Sequence, residues 1–178
     1  MGDIKVYDHF LDYKDYHLLK DAFCSDSKDR APFFYNDNIV SKNELKDDYS
    51  FQFTHAIYDT RWFSGSPPLY DTSPYIDLLD PIFVKLKVKK LFKAKVNIRT
   101  RTSKIYGSEY HVDIIEKIEG HKTAIYYLNT NDGYTLFKSG EKVKSVGNRL
   151  VVFDGQLYHS GTTCTDQNIR SVLNINYI

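Results

Sequence analysis

The sequence reads as mainly β with packing helices, an α+β fold whose N-terminal helices lie against a β-sandwich or jelly roll. Three observations predict this. Aromatic residues make up 15% of the 178 residues, 15 Tyr and 11 Phe among them, and both types favour strands. Two helical stripes occupy the first half of the chain. After about Lys93 the apolar period falls to two, and short strand-like runs alternate with Asn, Asp and Gly turns.

Residues 8–23 place Phe10, Leu11, Tyr16, Leu18, Leu19 and Phe23 at i, i+3 and i+4 spacings, which predicts a helix. Residues 32–50 read as loop or short strands. Residues 51–58 form a strand with Phe51, Phe53, His55 and Ile57 on one face. Residues 59–72 carry Gly65, Pro67 and Pro68 and read as a loop around Trp62. Ser73-Pro74 opens a second helix, an N-cap followed by proline at the first helical position. Its stripe is Tyr75, Leu78, Leu79, Ile82, Phe83 and Leu86, and Pro81 should kink or divide it.

From Lys93 the alternation puts Ala94, Val96, Ile98 and Thr100 on one face and Lys95, Asn97, Arg99 and Arg101 on the other. The second face reads as solvated. Further strands are expected at Tyr110–Ile115, Thr123–Asn129, Tyr134–Lys138, Arg149–Phe153 and Arg170–Ile178. Asn131-Asp132-Gly133, Ser139-Gly140 and Asp154-Gly155 supply turns.

Composition excludes several classes. Cys24 and Cys164 are the only cysteines, too few for a disulfide framework or a cysteine-based zinc module. No apolar run approaches the roughly 18 residues of a membrane helix. The start of the chain, Met1-Gly2-Asp3-Ile4-Lys5-Val6, has no signal-peptide core, so a cytoplasmic protein with no membrane partner is expected. The net charge of +1 hides an uneven distribution. Residues 1–80 hold 15 acidic and 8 basic residues, 81–108 hold 9 basic and none acidic, and 109–178 hold 8 and 7. The basic run reads as the solvated flank of a helix and a strand, so nucleic acid is not the favoured partner.

Of the six histidines, His111 and His159 stand out by their company. In a strand, His111 and Asp113 would point to one side and could share a metal ion, with Val112 facing the other. Composition alone yields about 0.6 such His-x-Asp pairs by chance, so the spacing decides little by itself. His159 follows 46 residues after Asp113. Two imidazoles and a carboxylate fill three positions of a metal and leave others open, the facial set of non-haem Fe(II) oxygenases. Arg170 opens the last strand, where Arg170, Val172, Asn174 and Asn176 alternate with Ser171, Leu173, Ile175 and Tyr177. Both faces are partly apolar, so the arginine is expected to be buried. It then needs an anionic partner, an internal carboxylate or a ligand.

These pieces, in this order, resemble a known family. His111-Val112-Asp113, Ala124–Asn129, Asp132–Phe137, Gly147–Phe153, His159-Ser160-Gly161 and Arg170 are similar to the motifs of Fe(II)/2-oxoglutarate-dependent dioxygenases of the prolyl-hydroxylase-like branch. The resemblance covers residues 94–178. It implies a double-stranded β-helix in one domain, residues 1–178, with 1–92 as helical support and substrate-side loops and 93–178 as the jelly-roll catalytic core. It implies His111, Asp113 and His159 as iron ligands and Arg170 as the partner of the distal carboxylate of 2-oxoglutarate. Tyr127 would reach the same carboxylate, Thr135 and Val172 would line its pocket, and Asn174 would bond the co-substrate or a water.

O2 is the further co-substrate, with ascorbate as a candidate reductant. The products are succinate, CO2 and a hydroxylated substrate, expected to be a prolyl residue of a peptide or protein. A small-molecule or nucleic-acid substrate, a metal hydrolase on the same three ligands and a metal-binding module are the alternatives. Asp132 stands where relatives have the first glycine of a pair. Many relatives also carry a co-substrate tyrosine on the strand before the His-x-Asp motif. Here that strand has none, and Arg101 is the candidate substitute. The segment Trp62–Tyr70 is a candidate lid.

Overall fold

The computed structural model describes residues 3–26, 28, 30–37, 51–60 and 72–178. The first half carries β1 (Lys5–Tyr7), α1 (Tyr13–Cys24), β2 (Phe34–Asn36), β3 (Gln52–Asp59), a 3-10 turn (Ile76–Leu79) and α2 (Asp80–Leu86). The second carries β4 (Leu91–Thr100), β5 (Lys122–Tyr127), β6 (Tyr134–Phe137) and β7 (Lys142–Lys144), then β8 (Arg149–Asp154), β9 (His159–Gly161) and β10 (Ile169–Tyr177). Seven strands form one antiparallel sheet in the order β1-β8-β5-β10-β4-β3-β2. A second sheet is β7-β6-β9. Among the described residues, no helix is long and apolar enough to cross a membrane.

The helix expected from Asp8 begins only at Tyr13. Residues 8–11 are committed elsewhere: Arg149 donates to both Asp8 carboxylate oxygens at 2.6 and 2.9 Å, and His9 adopts a left-handed φ of 51°. The Asn148 side chain accepts from the Leu11 amide at 2.8 Å and donates to its carbonyl at 2.9 Å. Asp12 then caps the helix, accepting from the Asp15 amide at 2.9 Å. Pro81 divides the second helical stripe as expected, the 3-10 turn ending where α2 begins. Ser73 is not its N-cap. The turn starts at Ile76 after Tyr75, and the Ser73 hydroxyl accepts from the Tyr75 amide at 3.3 Å while also bonding the His55 ring at 2.8 Å.

Two cores flank the large sheet. Leu19, Phe23, Leu79 and Ile82 pack against Ala94, Val96, Leu173, Ile175 and Tyr177 on one side. On the other side, between the two sheets, lie Ile125, Tyr127, Phe137, Val143, Val151, Phe153 and Val172. β10 is therefore covered on both faces, and its alternation sends Arg170, Val172 and Asn174 toward the inter-sheet space.

Two strand expectations change. Residues 110–115 are not a strand. The segment makes one isolated pairing, His111 with His159, because β9 is three residues long and its other edge already serves β6. Val112, half-buried, consequently has no sheet to lie behind. β7 is additional. Its three residues hold one apolar side chain, Val143, too little to show a period.

Candidate metal centre and anion pocket

His111 and His159 face each other across that single pairing, each amide donating to the other's carbonyl at 3.0 Å. Their rings are 4.8 Å apart. The same local device orients both. The His111 Nδ1 lies 3.0 Å from the Glu109 carbonyl, and the His159 Nδ1 lies 3.1 Å from the Leu157 carbonyl. A carbonyl only accepts, so each Nδ1 carries the proton and each Nε2 presents a lone pair. The His159 Nε2 is buried with no hydrogen-bond partner among the described residues. Phe153 packs edge-on to that ring at 4.9 Å and holds it from the side.

Asp113 completes the group. One ligand atom from each of His111, Asp113 and His159 lies within 4.8 Å of the others. Asp113 Oδ1 is 3.9 Å from His111 Nε2, while Oδ2 accepts from the Asn176 amide at 3.2 Å. Asn176 is itself fixed, its carbonyl oxygen accepting from His121 and from the Thr123 hydroxyl, both at 3.0 Å. Burial pushes the His111 pKa down to about 4, Asp113 opposing this less strongly. Burial works against the Asp113 carboxylate, but His159, Lys95, His111 and Lys93 outweigh it and hold its pKa at about 2. At neutral pH His111 is therefore neutral and Asp113 ionised, the states that ligation requires. Two such imidazoles, one carboxylate and an orphaned buried Nε2 fit a divalent transition metal such as Fe(II).

Beside this group is a pocket lined by Gln52, Lys95, Asn97, Arg99, Ser108, His111, Ile125, Thr135, His159, Gly161, Arg170, Val172 and Asn174. Arg170 is 3% exposed. Its Nε donates to Ser145 Oγ at 2.8 Å and one terminal nitrogen to Thr135 Oγ1 at 3.2 Å. No carboxylate pairs with it among the described residues, and burial lowers its pKa. Thr135 Oγ1 also accepts from the Tyr127 hydroxyl at 2.8 Å. With both acceptor sites used, its own proton is left to donate. Gly133 makes room for the arginine: a Cβ there would sit 2.7 Å from Arg170 Cδ and 2.6 Å from the Thr163 carbonyl. The Asn174 amide oxygen is buried without a partner among the described residues.

The structure thus brings His111, Asp113 and His159 together and sets Arg170, Thr135, Val172 and Asn174 beside them. Tyr127 is one layer back, its hydroxyl on Thr135 rather than in the pocket. Asp132 leaves its turn intact, accepting from the Thr165 amide at 2.8 Å. Arg101 is exposed at the end of its strand and lines no part of the pocket. Trp62–Tyr70 lies outside the described residues.

The reading of Lys95, Asn97 and Arg99 as a solvated face is wrong. β4 pairs with β10 in register Arg99↔Arg170, Asn97↔Val172 and Lys95↔Asn174, so this face looks into the pocket, with Asn97 8% and Arg99 5% exposed. Arg99 donates to the Gly161 carbonyl at 3.1 Å. The alternation had already grouped the three; what it lacked was which side the second sheet covers. Ser145 and Gln52 carried no local signal, and for Asn176 the alternation gave the face but not the bond to Asp113.

No family model matches the chain, and no curated protein does. Solved structures match along nearly all of it. A Trichoplax adhaerens prolyl hydroxylase in complex with a hypoxia inducible factor oxygen degradation domain peptide fragment superposes with a TM-score of 0.62 at 13% identity. The match covers 98% of this chain and 83% of that one. A Burkholderia pseudomallei oxidoreductase of the 2OG-Fe(II) oxygenase family gives 0.66 at 11%, covering 98% and 84%. The chain has the jelly-roll fold of the 2-oxoglutarate oxygenases. HygX from Streptomyces hygroscopicus, with nickel and 2-oxoglutarate bound, gives 0.58 at 12%, covering 99% and 82%. The large sheet draws β1, β2 and β3 from the first half of the chain as well as β4, β5, β8 and β10 from the second.

Proposed function

We propose that this chain is an Fe(II)- and 2-oxoglutarate-dependent dioxygenase. The observation that carries the reading is the adjacency of two unlike sites. One has two imidazole Nε2 atoms and a carboxylate directed at one another. The other is a buried arginine that meets no carboxylate among the described residues. His111, Asp113 and His159 would hold the iron. Arg170 would take the distal carboxylate of 2-oxoglutarate through its free terminal nitrogen, and the Thr135 hydroxyl would donate to the same group. Nickel and 2-oxoglutarate in the similarly folded HygX support this assignment. A metal hydrolase on the same ligands would have no use for Arg170.

When bound, iron and 2-oxoglutarate would supply the oxidative chemistry, O2 and 2-oxoglutarate going to succinate, CO2 and a hydroxyl on the substrate. The protein's part is orientation and dryness. The carbonyls of Glu109 and Leu157 fix both imidazole tautomers. Asn176 keeps one Asp113 oxygen occupied so that the other faces the histidines. Ile125 and Val172, which line the pocket, would exclude water around the co-substrate.

The substrate we propose is a prolyl residue of a peptide or protein, which the peptide held by the similarly folded Trichoplax enzyme supports. The test is succinate release on supplying Fe(II), 2-oxoglutarate and ascorbate in air, with proline-containing peptides set against nucleosides and free amino acids. Peptide-stimulated turnover with a mass gain of one oxygen on proline is expected. Stimulation by nucleosides alone would overturn the prolyl assignment.

A further inference from the structure

A second cavity adjoins the metal pocket. Its volume is about 170 Å³, and it is lined by Asn36, Thr54, Ala56, Tyr58, Asp59, Lys93 and Lys95. Lys95 belongs to both cavities. The floor is the part of the large sheet where β2, β3 and β4 run side by side, with a break in register between Ala56 and Tyr58. Lys93 and Lys95 are i, i+2 neighbours and stand on one face.

The chemistry of this floor is one-sided. The Asn36 amide donates to the Thr54 hydroxyl at 2.8 Å, and that hydroxyl donates to the Asn97 carbonyl oxygen at 3.3 Å. This ladder crosses three strands and keeps them in place. The charges above it do not cancel. Neither Lys93 nor Lys95 forms an ion pair among the described residues, and Asp59, opposite Lys93 in register, is the one described carboxylate lining the cavity. Arg99 and Arg170 lie in the adjoining pocket. With iron, the Asp113 carboxylate and dianionic 2-oxoglutarate bound, Arg170 balances the metal-side charge, and Lys93 and Lys95 outnumber Asp59 in the second cavity. Two like charges on one strand face repel each other, and an anion between them turns that repulsion into attraction.

We propose that the cavity under Lys93 and Lys95 binds an anionic group of the substrate, a carboxylate or a phosphate, and so selects an acidic substrate. The assignment rests on the oxygenase reading for the identity of the adjoining pocket. For a peptide, the acidic side chain is that of a residue flanking the hydroxylated proline.

The test titrates inorganic phosphate, and separately acetate, into the full chain by calorimetry. The same samples are titrated with 2-oxoglutarate in the presence of Mn(II) under argon. Saturable anion binding is expected, at least about tenfold weaker after Lys93→Met with Lys95→Met. It should persist in the Lys93→Arg, Lys95→Arg pair, which keeps the charges should the methionine pair fold poorly. It should also persist in Arg170→Ala. Tighter phosphate than acetate assigns a phosphoryl group, and the reverse assigns a carboxylate; either supports the site. Absence of saturable binding overturns it, as does binding that follows Arg170 and ignores the lysines. Lysine-dependent anion binding in a chain that takes up no 2-oxoglutarate would keep the anion site and remove the oxygenase reading.

Discussion

At the residue scale, the pocket is built from groups that fold at a cost and wait for partners. Lys95 is the clearest case. Burial and the charge of Lys93 outweigh the pull of Asp113 and Asp59 and bring its pKa down to about 8. The unfolded chain therefore binds more protons at this site than the folded chain between about 8 and 10.5. The penalty is fully present below 8 and is relieved as pH rises toward 10.5. Lys95→Met should stabilise the metal-free protein at pH 7 by about 1–3 kcal/mol, and the gain should shrink toward pH 10.5. Urea melts at both pH values check this; a gain that does not depend on pH would refute the electrostatic cause. Arg170→Ala removes a charge-assisted contact and should weaken 2-oxoglutarate binding by about 10- to 100-fold with little change in metal affinity. Calorimetry with Mn(II) under argon reads both, and an unchanged 2-oxoglutarate affinity would move the anchor elsewhere.

At the element scale, the legibility of the sequence follows the length of each periodic run. β10 and β4 are nine and ten residues long, and their alternation was readable to the residue, Arg170 and Asn174 included. β7 and β9, at three residues each, were not. The His-x-Asp segment shows why a motif can be located correctly on the wrong element. His111 and Asp113 share a side because of one backbone pairing and one bond from Asn176, not because a strand alternates. Local alternation sets Asn176 on the Arg170 face, but nothing local announces its bond to Asp113, 63 residues away.

That distant support rests on a glycine. A Cβ at Gly155 would come within 2.1 Å of the His121 ring, and His121 holds the Asn176 amide that orients Asp113. Gly155→Ala should therefore displace His121 and weaken metal binding by about tenfold, within the range seen when an outer partner of a ligand is lost. Competition with a coloured chelator measures it; unchanged affinity would show that Asn176 needs no buttress.

At the scale of the whole molecule, net charge was the least informative property and charge placement the most. The basic stretch 81–108 looked like a solvated flank, yet Lys95 and Arg99 turn inward to the pocket while Arg101 stays outside. Composition cannot make that distinction, because it depends on where a second sheet lands. The aromatic excess marked the β architecture correctly, and much of it is structural: Tyr126 and Tyr127 are fully buried, and Phe137 and Phe153 pack edge-on at 4.8 Å beside His159. The account as a whole requires that the two sites act as one, the metal and the co-substrate binding together.

Anaerobic titration of Fe(II) and 2-oxoglutarate into the wild-type chain and into His159→Ala tests this most directly. The wild type should take up one iron and, only with it, bind 2-oxoglutarate with a visible charge-transfer band. His159→Ala should keep its circular dichroism and lose both. Wild-type protein that binds no 2-oxoglutarate in the presence of iron, or a His159→Ala variant that binds both as well as wild type, would contradict the account.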